Sequence, residues 1–253
     1  MERSASTTRM RTIDVLGTPL ALTSYDQLAA TCHTLASAGG THAIDFTNTQ
    51  IVTLRRHDPQ FRKLTEHFDH FVPDGMPLVW VLNRRGANLR DRVYGPTFMR
   101  KFLERDERAH SHYLIGGSSA VGERLRARFP QANFVGSFHG RCDENGVLEG
   151  GAEEQVIEEI NRLSPDFIWV GLGTPKQYAW IHRHKALVRR GVLLAVGFAF
   201  DVNAGMKPDA PGWMQRAGLT WLFRLGSEPR RLALRYLRYN TLFLAYLSKD
   251  RAR

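Results

Sequence analysis

Short apolar runs alternate with stretches of helical periodicity along most of this chain. Residues 13–16 and 19–22 read as short strands around a Gly17-Thr18 turn. Ser24, with Gln27 three residues on, is a capping-box pattern that opens a helix to about Ala38. Apolar runs at 43–46, 69–72, 113–115, 133–135, 167–170 and 192–196 predict further strands. Helices are expected over 76–83, 96–108, 153–163 and 178–188, and another from the Gly116-Gly117-Ser118-Ser119 turn through Phe129. Repeated β-α alternation predicts an α/β fold, a mainly parallel sheet sandwiched by helices. Such sheets bind ligands at the carboxyl ends of their strands. The loops that follow strands are therefore the ones to read for chemistry.

Gly116 to Ser119 lies between a strand and a helix, where small residues and a helix N-terminus favour a phosphate. A β-α turn also wants glycine for its own sake. The loop from Gly171 to Gln177 carries more information. Thr174 suits an N-cap and Pro175 the first helical position, which puts Lys176 and Gln177 in the first turn. A lysine there opposes the helix dipole and points to service of a ligand, or to a solvated edge. Neither loop has a Walker pattern or GxGxxG. Asp74 follows an apolar strand, precedes Gly75 and opens a helix. Its carboxylate reads as a cap first and as a general base facing a pocket second. Asp201, after Gly197-Phe198-Ala199-Phe200, carries the same ambiguity. The ten histidines show no tight ligand spacing; His139, beside Gly140, reads as a loop contact. There is no DxD, so a metal-bridged diphosphate site is not indicated.

Composition narrows the classes. Of 253 residues 43% are hydrophobic and 24% charged, which excludes wholesale disorder, a collagen-like repeat and a disulfide scaffold. Cys32 and Cys142 have no CxxC context, so neither a zinc site nor a required disulfide is expected. Residues 1–12 are polar, without the apolar core of a signal peptide. The longest apolar run, 191–200, is too short to span a bilayer. A soluble or peripheral protein is expected.

Charge adds one more feature. The net charge is +10, and residues 216–253 carry nine basic side chains against Glu228 and Asp250. So +7 of the excess lies in that segment, which implies an anionic partner: nucleic acid, anionic lipid or a phosphate-bearing substrate. Residues 212–225 are aromatic-rich, and 230–247 predict a helix roughly 27 Å long. At about 100° per residue Arg231, Arg235 and Arg238 share a narrow face, with Leu232, Tyr236, Phe243 and Leu247 around the other side. That pattern suits a membrane-surface helix or a diphosphate clamp slightly better than a packed helix with a solvated basic edge.

Several segments then occur in a telling order. They are Pro73-Asp74-Gly75-Met76-Pro77, Leu114-Ile115-Gly116-Gly117, Gly136-Ser137-Phe138-His139-Gly140 and Val170-Gly171-Leu172-Gly173-Thr174-Pro175-Lys176-Gln177. Val196 to Asp201 with Ala204-Gly205 follows, then Ala210-Pro211-Gly212-Trp213, Gly218 to Leu225, and Glu228-Pro229-Arg230-Arg231. Together they resemble the WecG/TagA/CpsF glycosyltransferases, glycosyltransferase family 26, over nearly the whole chain after the first dozen residues.

The resemblance implies a bacterial, inverting, metal-independent transferase with no cofactor. It would move a sugar from a UDP-sugar to a sugar on a polyprenyl diphosphate, for cell-surface or exopolysaccharide biosynthesis. It implies a Rossmann-like catalytic core over 1–205 and a basic, aromatic-rich membrane-binding appendage over 206–253. Its place would be peripheral, at the cytoplasmic face of the bacterial inner membrane, on an anionic surface, with no nucleic acid partner and homo-oligomerisation left open. The family's catalytic carboxylate falls on Asp74, its Thr/Asn acceptor-side loop on Thr47 and Asn48, and its active-site glutamine on Gln177. Gly116, Gly117, Ser118, His139, Gly171, Gly173, Lys176 and Asp201 become donor-side candidates. Arg224, Arg231, Arg235 and Arg238 match the basic appendage in kind. The chain departs from the pattern at Thr49, where proline is common, at Tyr178, where glutamate is usual, and at Arg141, where an aromatic often stands. Two rivals remain. A Rossmann oxidoreductase lacks its GxGxxG here and an acidic ribose residue at the right distance. A non-catalytic nucleic-acid-binding protein would hold DNA in moderate salt at least as well as anionic liposomes.

Overall fold

The computed structural model describes residues 10–250, with the side chain of Arg231 outside that description. In chain order the strands are β1 (Thr12–Val15), β2 (Thr18–Ala21), β3 (Thr41–Thr47), β4 (His70–Pro73), β5 (Ser111–Ile115), β6 (Asn133–Phe138), β7 (Phe167–Val170) and β8 (Gly191–Ala195). The helices of the first half are α1 (Tyr25–Ala38), α2 (Thr49–His57), α3 (Pro59–Leu64), α4 (Met76–Arg84), α5 (Gly95–Glu104) and α6 (Ser119–Arg128). Those of the second half are α7 (Glu153–Leu163), α8 (Lys176–His184), α9 (Ala199–Asn203), α10 (Gly212–Arg216), α11 (Thr220–Ser227) and α12 (Pro229–Asp250).

The strands form one sheet in the order β1-β2-β4-β3-β8-β7-β5-β6. Among these strands only β1 and β2 pair antiparallel. The fold is therefore the α/β, mainly parallel architecture that the alternation predicted. Side chains leave each strand with period two, and the two faces feed separate cores. Leu193, Ile168, Val170 and Tyr113 meet α2, α3, α7 and α8 on one face. Leu194, Phe167, Trp169 and Leu114 meet α1, α5 and α6 on the other. Each fully buried side chain of this size contributes about 1.5–3 kcal/mol.

Two helices and one unassigned segment differ from the sequence reading. The helix expected over 96–108 ends at Glu104, because Glu107 and Arg108 turn into the left-handed region with φ of 47° and 60°. The helix expected over 178–188 runs from Lys176 to His184 instead. Thr174 does not cap it: Pro175 holds the N-cap position after a cis Thr174-Pro175 bond, no side-chain cap is formed, and the Gln177 N–H donates to the Gly173 carbonyl. Finally, α2 and α3 fill a segment the pattern left unassigned, capped by Asn48 and by Asp58.

The C-terminal helix α12 is docked rather than free. It lies along α2: Thr49 Oγ1 meets Asn240 Oδ1 at 3.0 Å, and His57 Nδ1 meets the Tyr246 hydroxyl at 2.7 Å. Leu232 and Phe243 are buried, and Arg85 pairs with Asp250 at 2.7 Å. No described helix is long and apolar enough to cross a membrane.

Candidate active site

Two cavities open at the carboxyl ends of the strands. One, of about 540 Å³, lies between α4, α11 and α12, and Trp80, Trp221, Tyr239, Phe243 and Leu247 make it largely apolar. The other, of about 310 Å³, lies over the turns after β5, β7 and β8 and is polar; Gly117, Gly171, Gly173, Lys176, Gln177, Gly197, Asp201 and Lys207 line it. Asn48, Gln50, Asp74, Tyr94, Arg224 and Arg235 line both. The junction of the two spaces is thus built from β3, β4 and the C-terminal helices together.

Asp74 is the acidic side chain at that junction. It does not cap α4, whose N-cap is Gly75 without a side-chain bond. Its Oδ1 instead accepts from the Gly95 N–H at 2.6 Å, at the start of α5, and its own N–H donates to the Thr47 carbonyl at 2.7 Å. Both contacts fix the carboxylate in place. Burial pushes its pKa up to about 6, while Arg92, the Gly95 N–H and Arg224 pull it down and Asp209 pushes it up. A carboxyl with that pKa is ionised at neutral pH and basic enough to take a proton.

Cations surround it. Arg92 is buried, donates from Nη2 to Thr220 Oγ1 at 2.8 Å and stacks 4.2 Å from the Tyr94 ring centroid. Arg224 stacks 4.0 Å from the Phe198 ring centroid. Asp201 is neutralised by Lys207 at 3.1 Å, which also meets Glu228 at 2.9 Å. Among the described residues no group of three or more His, Cys, Asp or Glu side chains is placed to hold a metal ion.

Other expected site residues fall elsewhere. Thr47 is fully buried below the junction and donates its hydroxyl to Asp45 at 2.5 Å, so it presents no side chain to either cavity. Asn48 caps α2, accepting from the Ile51 N–H, and also faces both cavities. Gly116 is a packing position: with φ of +96°, a Cβ there would lie 2.9 Å from Leu172. Ser118 caps α6. His139 packs on Gly122 of α6 and lines neither cavity. Lys176 reaches the polar cavity, but its ammonium also donates to the Cys142 carbonyl and so anchors the 139–148 loop. Gln177 is buried, with Oε1 lacking a hydrogen-bond partner. The arginine stripe splits: Arg235 enters the junction, Arg238 is exposed, and the Arg231 side chain lies outside the described residues.

Sequence reasoning missed Arg92, Tyr94 and Asp45. Arg92 stands among Arg84, Arg85 and Arg90, and nothing in spacing separates the buried one from the exposed ones.

The loop held by Lys176 gives a direct test. Gly146 has φ of +81°, and a Cβ would sit 2.4 Å from the Trp180 backbone nitrogen of α8. Gly146→Ala is expected to cost about 1–3 kcal/mol, read as a fall of about 2–4 °C in Tm per kcal/mol. A melting curve matching wild type would mean the loop does not rest on α8.

A family model described as the glycosyl transferase WecG/TagA/CpsF family matches residues 13–253. Among curated proteins the chain is similar to the N-acetylglucosaminyldiphosphoundecaprenol N-acetyl-beta-D-mannosaminyltransferases of Staphylococcus aureus. The strain MRSA252 protein is 28% identical over 227 residues, covering 87% of this chain and 86% of that one. The strain MW2 protein is 27% identical over the same shares.

Proposed function

The chain belongs to the WecG/TagA/CpsF family and is a glycosyltransferase, and from that premise we propose that it moves a sugar from a UDP-sugar onto N-acetylglucosamine carried by a polyprenyl diphosphate. Family membership sets the oxidoreductase and the non-catalytic nucleic-acid readings aside. The observation that carries the proposal is the meeting of a polar and an apolar cavity at Asp74. A nucleotide-sugar suits the polar space, with glycine turns and Lys176. A lipid-linked sugar suits the apolar one. Its acceptor identity follows the activity for which the staphylococcal relatives are named.

The chemistry is a single displacement. Asp74 takes the proton from the acceptor hydroxyl, whose oxygen attacks the anomeric carbon as the bond to the UDP oxygen breaks. UDP leaves from the opposite face, so the centre inverts. Arg224 and Arg235 meet the diphosphate charge as it develops, and no metal is required. The protein sits peripherally at the cytoplasmic membrane face. Support for that comes from Leu234, Leu237 and Leu244, which leave α12 exposed at 78%, 69% and 66% beside a basic surface.

The test is UDP release and product mass with an N-acetylglucosaminyl-diphosphoprenol acceptor, using UDP-N-acetylmannosamine, UDP-glucose and UDP-glucuronate as donors. Transfer should persist in EDTA with less than twofold loss. Dependence on added magnesium would overturn the metal-independent mechanism, and no transfer with any donor would overturn the proposed substrates. Because Asp74 must be ionised to act, kcat/KM should rise across pH 6 and level off above it. A flat profile from pH 5 to 8 would remove a carboxyl of that pKa from the mechanism.

A further inference from the structure

Behind the cavity junction lies a carboxylate that the transfer chemistry does not use. Asp45 of β3 is fully buried and shares a sheet face with Ala43. Its Oδ1 accepts from the Tyr178 hydroxyl at 2.7 Å, and its Oδ2 from the Thr47 hydroxyl at 2.5 Å. The cation that faces it, Arg55, is hydrogen-bonded to Thr18 and Thr65 instead. Asp74 adds a like charge from the cavity side. Desolvation pushes the Asp45 carboxyl up to about 6, so its charge weakens the fold at neutral pH.

What this group holds together is specific. Thr47 precedes Asn48, and its carbonyl accepts from the Asp74 N–H. Tyr178 follows Gln177 in the first turn of α8. One carboxylate therefore joins the end of β3 to the start of α8, and the residues that follow or flank these ends, Asn48 and Gln177, both line the polar cavity.

We propose that Asp45 is a positioning residue for the transfer: it clamps Thr47 to Tyr178 and so fixes the separation of Asn48 and Asp74 from Gln177. The proposal rests on the transferase reading for its kinetic consequence, but the clamp itself is readable without turnover. Asparagine at 45 keeps the volume and can bond both hydroxyls, one by accepting and one by donating, whereas alanine cannot.

The experiment compares wild type with Asp45→Ala, Asp45→Asn and Tyr178→Phe by amide hydrogen exchange and by steady-state kinetics. In Asp45→Ala, exchange should rise at least tenfold in 47–50 and in 176–180 together, with the remaining sheet at wild-type protection. Its kcat should fall at least tenfold with KM within threefold, and Asp45→Asn should recover most of it. Tyr178→Phe, which keeps the ring packing, should raise exchange in both segments to a lesser degree and stands in should Asp45→Ala not fold. Wild-type exchange in both segments overturns the clamp, as does a rise spread evenly over the sheet, which marks a stability role only. Absence of transfer by the wild type would overturn the function proposed above and leave the exchange result to decide the clamp by itself.

Discussion

Asp74→Asn is expected to lower transfer by about 10²–10⁴-fold, the range that loss of a positioned general base produces. The asparagine fits the same space and still accepts from the Gly95 N–H, so the site's shape survives and only the proton acceptor is lost. The residual rate should no longer rise across pH 6. Stability should move the other way. The folded protein holds the Asp74 proton more tightly than the unfolded chain does, from the ordinary 3.8 up to about 6. Such a group contributes stability below pH 4 and loses it as pH climbs through 6. At pH 8 the ionised carboxylate therefore costs the fold on the order of 2–3 kcal/mol, which the asparagine removes. Asp74→Asn should thus melt several degrees above wild type at pH 8 and level with it at pH 4. An active site that is less stable than its amide variant is the usual consequence of keeping a charge where chemistry needs it. Full transfer by Asp74→Asn would transfer the base role to another group. Asp201 lines the polar cavity and would be the next carboxylate to test, although it is already paired with Lys207 at 3.1 Å.

Much of this arrangement is legible in the sequence, and the illegible parts have physical causes. The β-α alternation predicts the parallel sheet, and ligand loops at strand ends follow from it, so position alone singles out the loops that hold Asp74, Gly173 and Gln177, whereas Asn48 and the proposed roles of these side chains come from the family resemblance. The segment 49–64 is read poorly because its apolar faces are short: Ile51 and Val52 on α2, Phe61 on α3. Asp58 before Pro59 was a usable signal there, an N-cap followed by proline at the first helical position. The Asp74 ambiguity is of another kind. A carboxylate before a helix looks like its cap, and only tertiary structure shows that it serves the start of α5 instead. Thr47 and Asp45 lie two residues apart on one strand face, so their mutual bond draws Thr47 away from the cavity. The arginines of α12 are alike in sequence. Docking against α2 turns Arg235 inward and leaves Arg238 in solvent, a distinction of about 60° in helical phase that periodicity cannot assign to either side.

Arg224 is where the second largest loss is expected. It lines both cavities, stacks on Phe198 and acts on Asp74 through space. In a transfer without metal, charge builds on the leaving diphosphate, and a single preorganised donor at such a site is worth about 10²–10³-fold. Arg224→Ala should reduce kcat/KM by that factor. It should also move the acid limb, and the sign is fixed: Arg224 favours the ionised form of Asp74, so its removal shifts the limb above its wild-type position near pH 6. Arg224→Lys separates the two effects. Lysine keeps the positive charge, so the limb stays close to wild type, but it loses the planar fork and the stack on Phe198, so the rate recovers only in part. A group that served merely to pack α11 against Phe198 would give a different pair of results, a lower Tm in Arg224→Ala with an unmoved limb. Wild-type kcat/KM in Arg224→Ala would remove the arginine from the diphosphate site, and Arg235, the other cation common to both cavities, would take its place.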